Sequence, residues 1–258
     1  GELGLGAGLE TSLSCLQLYE PINTLKPVAD DVFIVDGPEI RMAALGFGFP
    51  FTTRMTLIRM ADGGLWVHSP TPLTEPLIEQ VTALGEPRFL IAPNRLHYWW
   101  VSHWKARFPQ ARAYAAPGVR QSAKRRFTAF DADLGAEAPA EWGGAFTQFL
   151  VPGAWLSEVD FLHRPSGTLI LTDLIENFEP ARIACRPLRL LVRLGGVADP
   201  DGKAPHDLAI NLLLRRKEAG AAMRAMLAAD PARIILAHGR WYERNAAGEL
   251  RRAFRCFV

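Results

Sequence analysis

Short apolar runs bounded by turn residues fill the first half of the chain, and helical spacing takes over in parts of the second. Asp31 to Asp36 (DVFIVD) stops at Gly37-Pro38, which predicts a strand. Thr53 to Met60 and Gly64 to His68 flank Ala61-Asp62-Gly63, and an Asp-Gly pair between two such runs predicts an antiparallel hairpin. Thr74 to Leu84 opens with a Thr cap, carries Pro76 in its first turn and ends before Gly85, the punctuation of a helix. Arg88 to Ala92 is continuously apolar and closes at Pro93-Asn94, as a buried strand does. The aromatics from Tyr98 to Phe108 fall at helical spacing.

The same reading predicts a strand over Ala111 to Ala115 and a basic helix over Gly118 to Arg126. After an Ala/Pro/Gly-rich connection, three strands follow at Phe146 to Val151, Val159 to His163 and Thr168 to Thr172. Pro187 to Leu194 and Asp207 to Leu227 have helical patterns, the second as one helix with Leu208, Leu212, Met223, Met226 and Leu227 on its apolar stripe. Arg233 to Ala237 is a last buried strand, ending at His238-Gly239. Gly46 to Phe51 (GFGFPF) is expected in a loop between strands and not at a strand-to-helix turn, so it is no phosphate cradle. No shift in composition divides the chain, which predicts a mobile leader over 1–18 and a single mixed α/β domain over 19–258.

Composition narrows the function. Of 258 residues, 29 are Lys or Arg and 27 are Asp or Glu, so the formal net charge is +2 and no bulk field holds nucleic acid or an anionic membrane. No apolar run reaches the roughly 18 to 20 residues of a spanning helix. Cys15, Cys185 and Cys256 are too few and too scattered for a closed disulfide set or a zinc knuckle, which points to a reducing cytoplasm.

Chemistry concentrates where polar residues follow buried strands, because loops there carry function on a rigid sheet. His68-Ser69, Asn94 to His97, Asp173 and His238 all stand at such ends. Imidazole and carboxylate suit Zn or Fe and can converge from distant loops. His103 follows His97 by six residues and faces elsewhere on a helix, while His163 and His206 sit near turns and are expected at the surface. Trp99, Trp100 and Trp104 fit packing, with one Trp available to wall a pocket. Ala123 to Phe127 (AKRRF) fits a solvated basic face, and Ser69 lacks a nucleophile motif.

This order of elements resembles the metallo-β-lactamase superfamily. The family's H-x-H-x-D-H loop has its counterpart in Ala92-Pro93-Asn94-Arg95-Leu96-His97-Tyr98, and the helix after it closes with Phe108-Pro109 and a strand. The PGH-type turn is matched by Pro152-Gly153-Ala154, the bridging aspartate by Asp173 in TLILTD, and the final histidine by His238 in IILAHG. The stretches from Tyr19 to Lys26, Arg54-Met55, His68-Ser69-Pro70, Pro93-Asn94 with His97, and Ser157-Glu158 through Asp173-Leu174-Ile175-Glu176-Asn177 are similar to an uncharacterised bacterial branch with no established substrate.

The resemblance implies an αββα four-layer sandwich with metal at one edge. Alanine at 154 and the loss of the first two motif histidines remove the first metal site, so His97, Asp173 and His238 are left to hold one divalent ion, zinc foremost, with Fe or Mn as alternatives. Asn94 and Glu158 lie beside degenerate motif positions. Glu158 could be a fourth ligand or a general base, or a cap or salt-bridge residue, and Asn94 or Arg54 could steady an oxyanion. Two functions remain open: a single-metal hydrolase of an unidentified ester, lactone, thioester or phosphoester, or a metal-free binding or assembly protein on the same fold.

Overall fold

The computed structural model describes residues 15–44 and 47–258. Strands β1 (Lys26–Ala29) and β2 (Val32–Asp36) open the described chain, then a hairpin of β3 (Ile40–Ala44) and β4 (Phe47–Phe51), then β5 (Arg54–Arg59) and β6 (Leu65–His68). Helix α1 (Glu75–Leu84) leads to β7 (Pro87–Ala92), α2 (Val101–Arg107) to β8 (Arg112–Ala115), and α3 (Val119–Ala123) to the short β9 (Ala132–Asp133). The second half holds β10 (Phe146–Val151), β11 (Glu158–His163), β12 (Thr168–Leu171), α4 (Arg186–Leu194), α5 (His206–Leu213), α6 (Arg216–Ala228), β13 (Arg233–Leu236) and α7 (Ala246–Ala253).

Local chemistry sets the boundaries. Gly63 takes φ +83° at the turn between β5 and β6, and Asp62 Oδ1 accepts from the Gly64 amide at 3.0 Å, so the Asp-Gly pair closes the hairpin as its residue types dictate. Thr74 caps α1 by accepting from the Leu77 amide, and Pro76 sits in the first turn where its missing N–H costs nothing.

The first sheet has the order β1-β2-β5-β6-β7-β8-β9 and the second β10-β11-β12-β13. From β6 onward the first sheet is parallel, as is the β12–β13 pair, so each sheet presents carboxyl ends along one edge. Alternate side chains meet between the sheets: Trp66 stacks on Phe146 at 4.4 Å and meets Phe161 edge-on at 5.0 Å. Leu77, Val81, Val101 and Trp104 of α1 and α2 cover the outer face of the first sheet. Leu208 and Leu212 of α5, Met223 and Met226 of α6 and Leu250 of α7 cover the second. The layers are αββα. Trp66 is fully buried at their centre, and its loss would cost about 3–5 kcal/mol.

Four expectations need correction. Asp207 to Leu227 is not one helix: Arg215 at φ −125°, ψ 33° ends α5, which stays pinned through Asn211 to the Trp155–Leu156 loop while α6 packs on the sheet. Phe47–Phe51 is a strand, not a loop; its Pro50 is tolerated because a two-stranded hairpin consists only of edges; Gly46 lies outside the described residues. His163 is buried, not at the surface, against the Phe146 ring with Nδ1 on Ser166 Oγ at 2.8 Å. Cys15 and Cys185 form a disulfide although 170 residues separate them, with Cα atoms 5.2 Å apart, and Cys256 is left over and exposed. An odd count excludes a closed set, but not a single pair.

Residues 1–14 of the expected leader lie outside the described residues. The next ones are fastened: the Gln17 amide donates to Arg182 O, Ala184 donates to Cys15 O, and Leu16 is buried. Among the described residues no helix is long and apolar enough to cross a membrane.

Candidate metal centre

Three strand ends converge on one point. His97 follows β7, Asp173 follows β12 and His238 follows β13. His97 Nε2 and His238 Nε2 each lie 3.3 Å from Asp173 Oδ1, and 3.2 Å from each other. His238 Nδ1 lies 2.6 Å from the Thr52 carbonyl oxygen, which can only accept, so Nδ1 carries a proton and Nε2 is the atom that faces the carboxylate. Ser69 Oγ engages His97 Nδ1 at 2.7 Å. Two imidazole nitrogens and a carboxylate oxygen gathered at this range are held together by a shared cation, either a proton or a metal ion.

The donor set fits a metal. Ligands at bond lengths of about 2.0–2.1 Å in a tetrahedron stand about 3.3 Å apart, and the three edges here match one face of that solid, leaving its fourth vertex free. Each histidine also has its second nitrogen held, as metal-bound imidazoles require.

The charges agree. Burial raises the carboxyl of Asp173, but the neighbouring His97 and His238 outweigh it and hold the group well below the ordinary carboxylate range. Burial lowers His97, and the charge and hydrogen bond of Asp173, with the charge of Glu158, reverse this and leave it raised.

Asn94 and Glu158 belong to the support beneath these ligands. Asn94 Nδ2 donates to Asp173 Oδ2 at 2.7 Å and to Glu158 Oε2 at 3.0 Å, while its Oδ1 accepts from the amides of Leu96 and His97. One fully buried amide thus places two ligands from opposite sheets. Glu158 accepts from the Thr172 amide at 2.8 Å and the Asp173 amide at 2.9 Å, which fixes the β12 exit. Arg54 is committed elsewhere: Nη1 donates to Leu236 O and Gly239 O at 2.7 and 2.8 Å, and Nη2 pairs with Asp36 at 2.7 Å, so the loop carrying His238 is braced against β2 and β5. Ala154 offers no donor atom, and His103 and His206 are exposed.

Other residues at this edge lie outside the metal-ligand motifs. Ser69, at φ +51°, and Thr52 aim the two imidazoles, and Thr52 Oγ1 accepts from the Gly239 amide. Glu176 is buried, and its carboxyl is pushed up to about 8, first by burial and then by the charges of Asp173, Asp207 and Glu158, against the lowering influence of His238. In the sequence it stands out only as part of the Asp173-Leu174-Ile175-Glu176-Asn177 stretch of the resemblance, with no role attached. Phe51 and Phe178 pack on the His238 ring at 5.4 and 6.4 Å and exclude water from one side.

A crystal structure of the metallo-β-lactamase DIM-1 exposed to ceftazidime superposes with a TM-score of 0.59 at 13% identity, covering 95% of this chain and 100% of that one. The chain has the metallo-β-lactamase fold. FIM-1 from Pseudomonas aeruginosa, in its mono-zinc form, aligns at TM-score 0.57 and 13% identity over 91% of this chain and 96% of that one. A metallo-β-lactamase from Hirschia baltica gives 0.55 and 12% over 88% and 95%. Residues 47–121 match a domain of unknown function, DUF4336. No curated protein matches the chain in sequence. The sequence-level resemblance and the fold therefore agree, at 12–13% identity to these structures.

Proposed function

We propose that the protein is a hydrolase using one divalent ion, zinc foremost, held by His97, Asp173 and His238, and acting on an ester, lactone, thioester or phosphoester. The observation that carries this reading is the triangle of donor atoms with edges of 3.2–3.3 Å and both distal imidazole nitrogens engaged. The mono-zinc form of the fold neighbour FIM-1 supports one ion as an occupancy that this fold accepts.

An ion in this site supplies Lewis-acid activation of water and of the scissile group. The chain supplies the rest. Asn94 and Glu158 hold the Asp173 loop rigid, Ser69 and Thr52 fix the imidazoles, and Phe51 and Phe178 keep one flank dry. Glu158 spends its oxygens on backbone amides and Asn94, so proton exchange is assigned to Glu176, a buried carboxyl pushed up to about 8.

The test is elemental analysis of protein supplied separately with Zn, Mn and Fe, beside His238→Ala, followed by a panel of chromogenic esters, thioesters and phosphoesters. One ion per chain, lost with His238, together with turnover that Glu176→Gln lowers, is the expected result. Two tightly bound ions would refute the single-site reading. No bound ion would leave the non-catalytic binding protein.

A further inference from the structure

The charge balance of +2 hides a segregation. From Ala181 to Ala198 the chain carries Arg182, Arg186, Arg189 and Arg193 with no acidic residue, and from Leu208 to Lys217 it carries three cations and again no acid. Both stretches contain exposed leucines. On α4, Leu190 is 58% and Leu194 64% exposed, and Leu191 is also exposed. At about 100° per residue, Pro187, Leu190, Leu191 and Leu194 share one arc of roughly 100°, while Val192 faces the protein and the arginines flank the arc on one side. Single exposed leucines are ordinary, but a continuous apolar arc on a solvent-facing helix marks a contact surface.

The pattern continues beyond α4. Gly196, after the helix, lies against Lys203 and His206 with no room for a Cβ, so the end of α4 adjoins the start of α5. On α5 Ile210 and Leu213 are exposed, Leu214 just beyond is 64% exposed, and Arg215, Arg216 and Lys217 follow. Trp155, half-exposed, hangs from α5 by its amide on Asn211 Oδ1 at 2.8 Å.

We infer that α4 and the exposed side of α5 form a peripheral docking face for an anionic lipid surface. Leucines projecting from a helix with arginines beside them can bury in the acyl boundary while the guanidinium groups meet lipid phosphates. Trp155 has the amphipathic ring that settles at such a boundary. Charge selects this occupant over a second copy of the chain, because a self-complementary contact would bring two acid-free arginine rows together. Among the described residues neither Arg186 nor Arg193 has an acidic partner that would have to be displaced. The inference is independent of the metal: Phe178 bonds the Val197 carbonyl, which places the face beside the site's rim without using its chemistry.

Co-sedimentation of the full chain with phosphatidylcholine vesicles, and with equimolar phosphatidylcholine and phosphatidylglycerol, tests it, beside light scattering for oligomeric state. Binding to the anionic vesicles only, weakened by salt, is expected. A variant with Leu190→Gln, Leu191→Gln and Leu194→Gln and another with Arg186→Gln and Arg193→Gln should each lose at least tenfold in partitioning with unchanged Tm. All five side chains are exposed, and the second variant leaves the apolar arc intact. No binding to anionic vesicles at low salt overturns the proposal. So does binding that survives the leucine changes, or a dimer without vesicle binding that those changes dissolve.

Discussion

Ser69 Oγ lies 2.7 Å from His97 Nδ1, on the opposite side of the ring from the nitrogen that faces Asp173. Ser69 achieves this at φ +51°, a left-handed backbone that a non-glycine residue adopts only when its surroundings impose it. The hydroxyl therefore fixes the orientation of the imidazole ring, while Asn94 holds the backbone of its loop. Ser69→Ala should leave the fold intact and weaken metal binding by about 10–100-fold. Ser69→Gly, which relieves the backbone and also lacks the hydroxyl, should weaken it similarly. Competition with a chelator of known affinity measures both, and native affinity in either would remove the positioning role.

Arg54 braces the third ligand from behind. Its guanidinium is buried and spans Asp36, Leu236 O and Gly239 O, so losing it leaves the buried Asp36 carboxylate with Lys26 Nζ alone and takes a donor from two carbonyls. Breaking a buried pair in this way costs about 3–5 kcal/mol, which for a chain of this size lowers Tm by roughly 6–20 °C. Arg54→Met should show that fall and a parallel loss of metal affinity, because the freed loop carries His238. A Tm within a degree or two of the parent would show that the brace bears no load.

These two residues also mark what was legible beforehand. Strand ends could be read because a buried strand is an apolar run with a polar stop, and that signal led to His97, Asp173 and His238. Ser69 acts across neighbouring strand ends of one sheet and Arg54 across the two sheets, through contacts to residues 28 and 185 positions away, and no local pattern encodes such a separation. Asn94 was singled out for its place in a degenerate motif, yet its role of tying Asp173 to the His97 turn depends on both sheets being assembled. The disulfide escaped for the same reason, since only the fold brings Cys15 to Cys185.

His68 should make the metal-free protein acid-labile. Buried between Trp66 and Phe161, it is pushed down to about 3, first by burial and then by the charge of His97. The unfolded chain takes up this proton near 6.5. Its contribution to stability is thus complete above pH 6.5 and is lost progressively as pH falls toward 3, up to about 5 kcal/mol. Asp173 adds a loss only below about pH 4, and the raised His97 acts in the opposite sense, stabilising at low pH and losing that effect as pH rises. The difference between His68→Phe and the parent in urea melts isolates His68. That difference should grow between pH 6.5 and 4, and parallel curves would rule the mechanism out.

The thiol count gives the last prediction. With Cys15 bonded to Cys185 and Cys256 exposed, unreduced protein should show one reactive thiol per chain, and three after reduction in denaturant. Closing a loop across a separation of 170 residues has an entropic ceiling of about 5 kcal/mol. Reduction should cost much less than that. Apart from the disulfide, the contacts of residues 15–17 include backbone bonds from the Gln17 and Ala184 amides and the buried Leu16. Once reduced, this strap can detach locally while both sheets and the metal ligands stay folded, so the global loop entropy is never fully released. Tm should therefore fall by a few degrees with metal content unchanged, and protease cleavage should appear first near residue 18. Three reactive thiols in unreduced protein would refute the pairing, and metal loss on reduction would show that the strap and the metal centre are coupled.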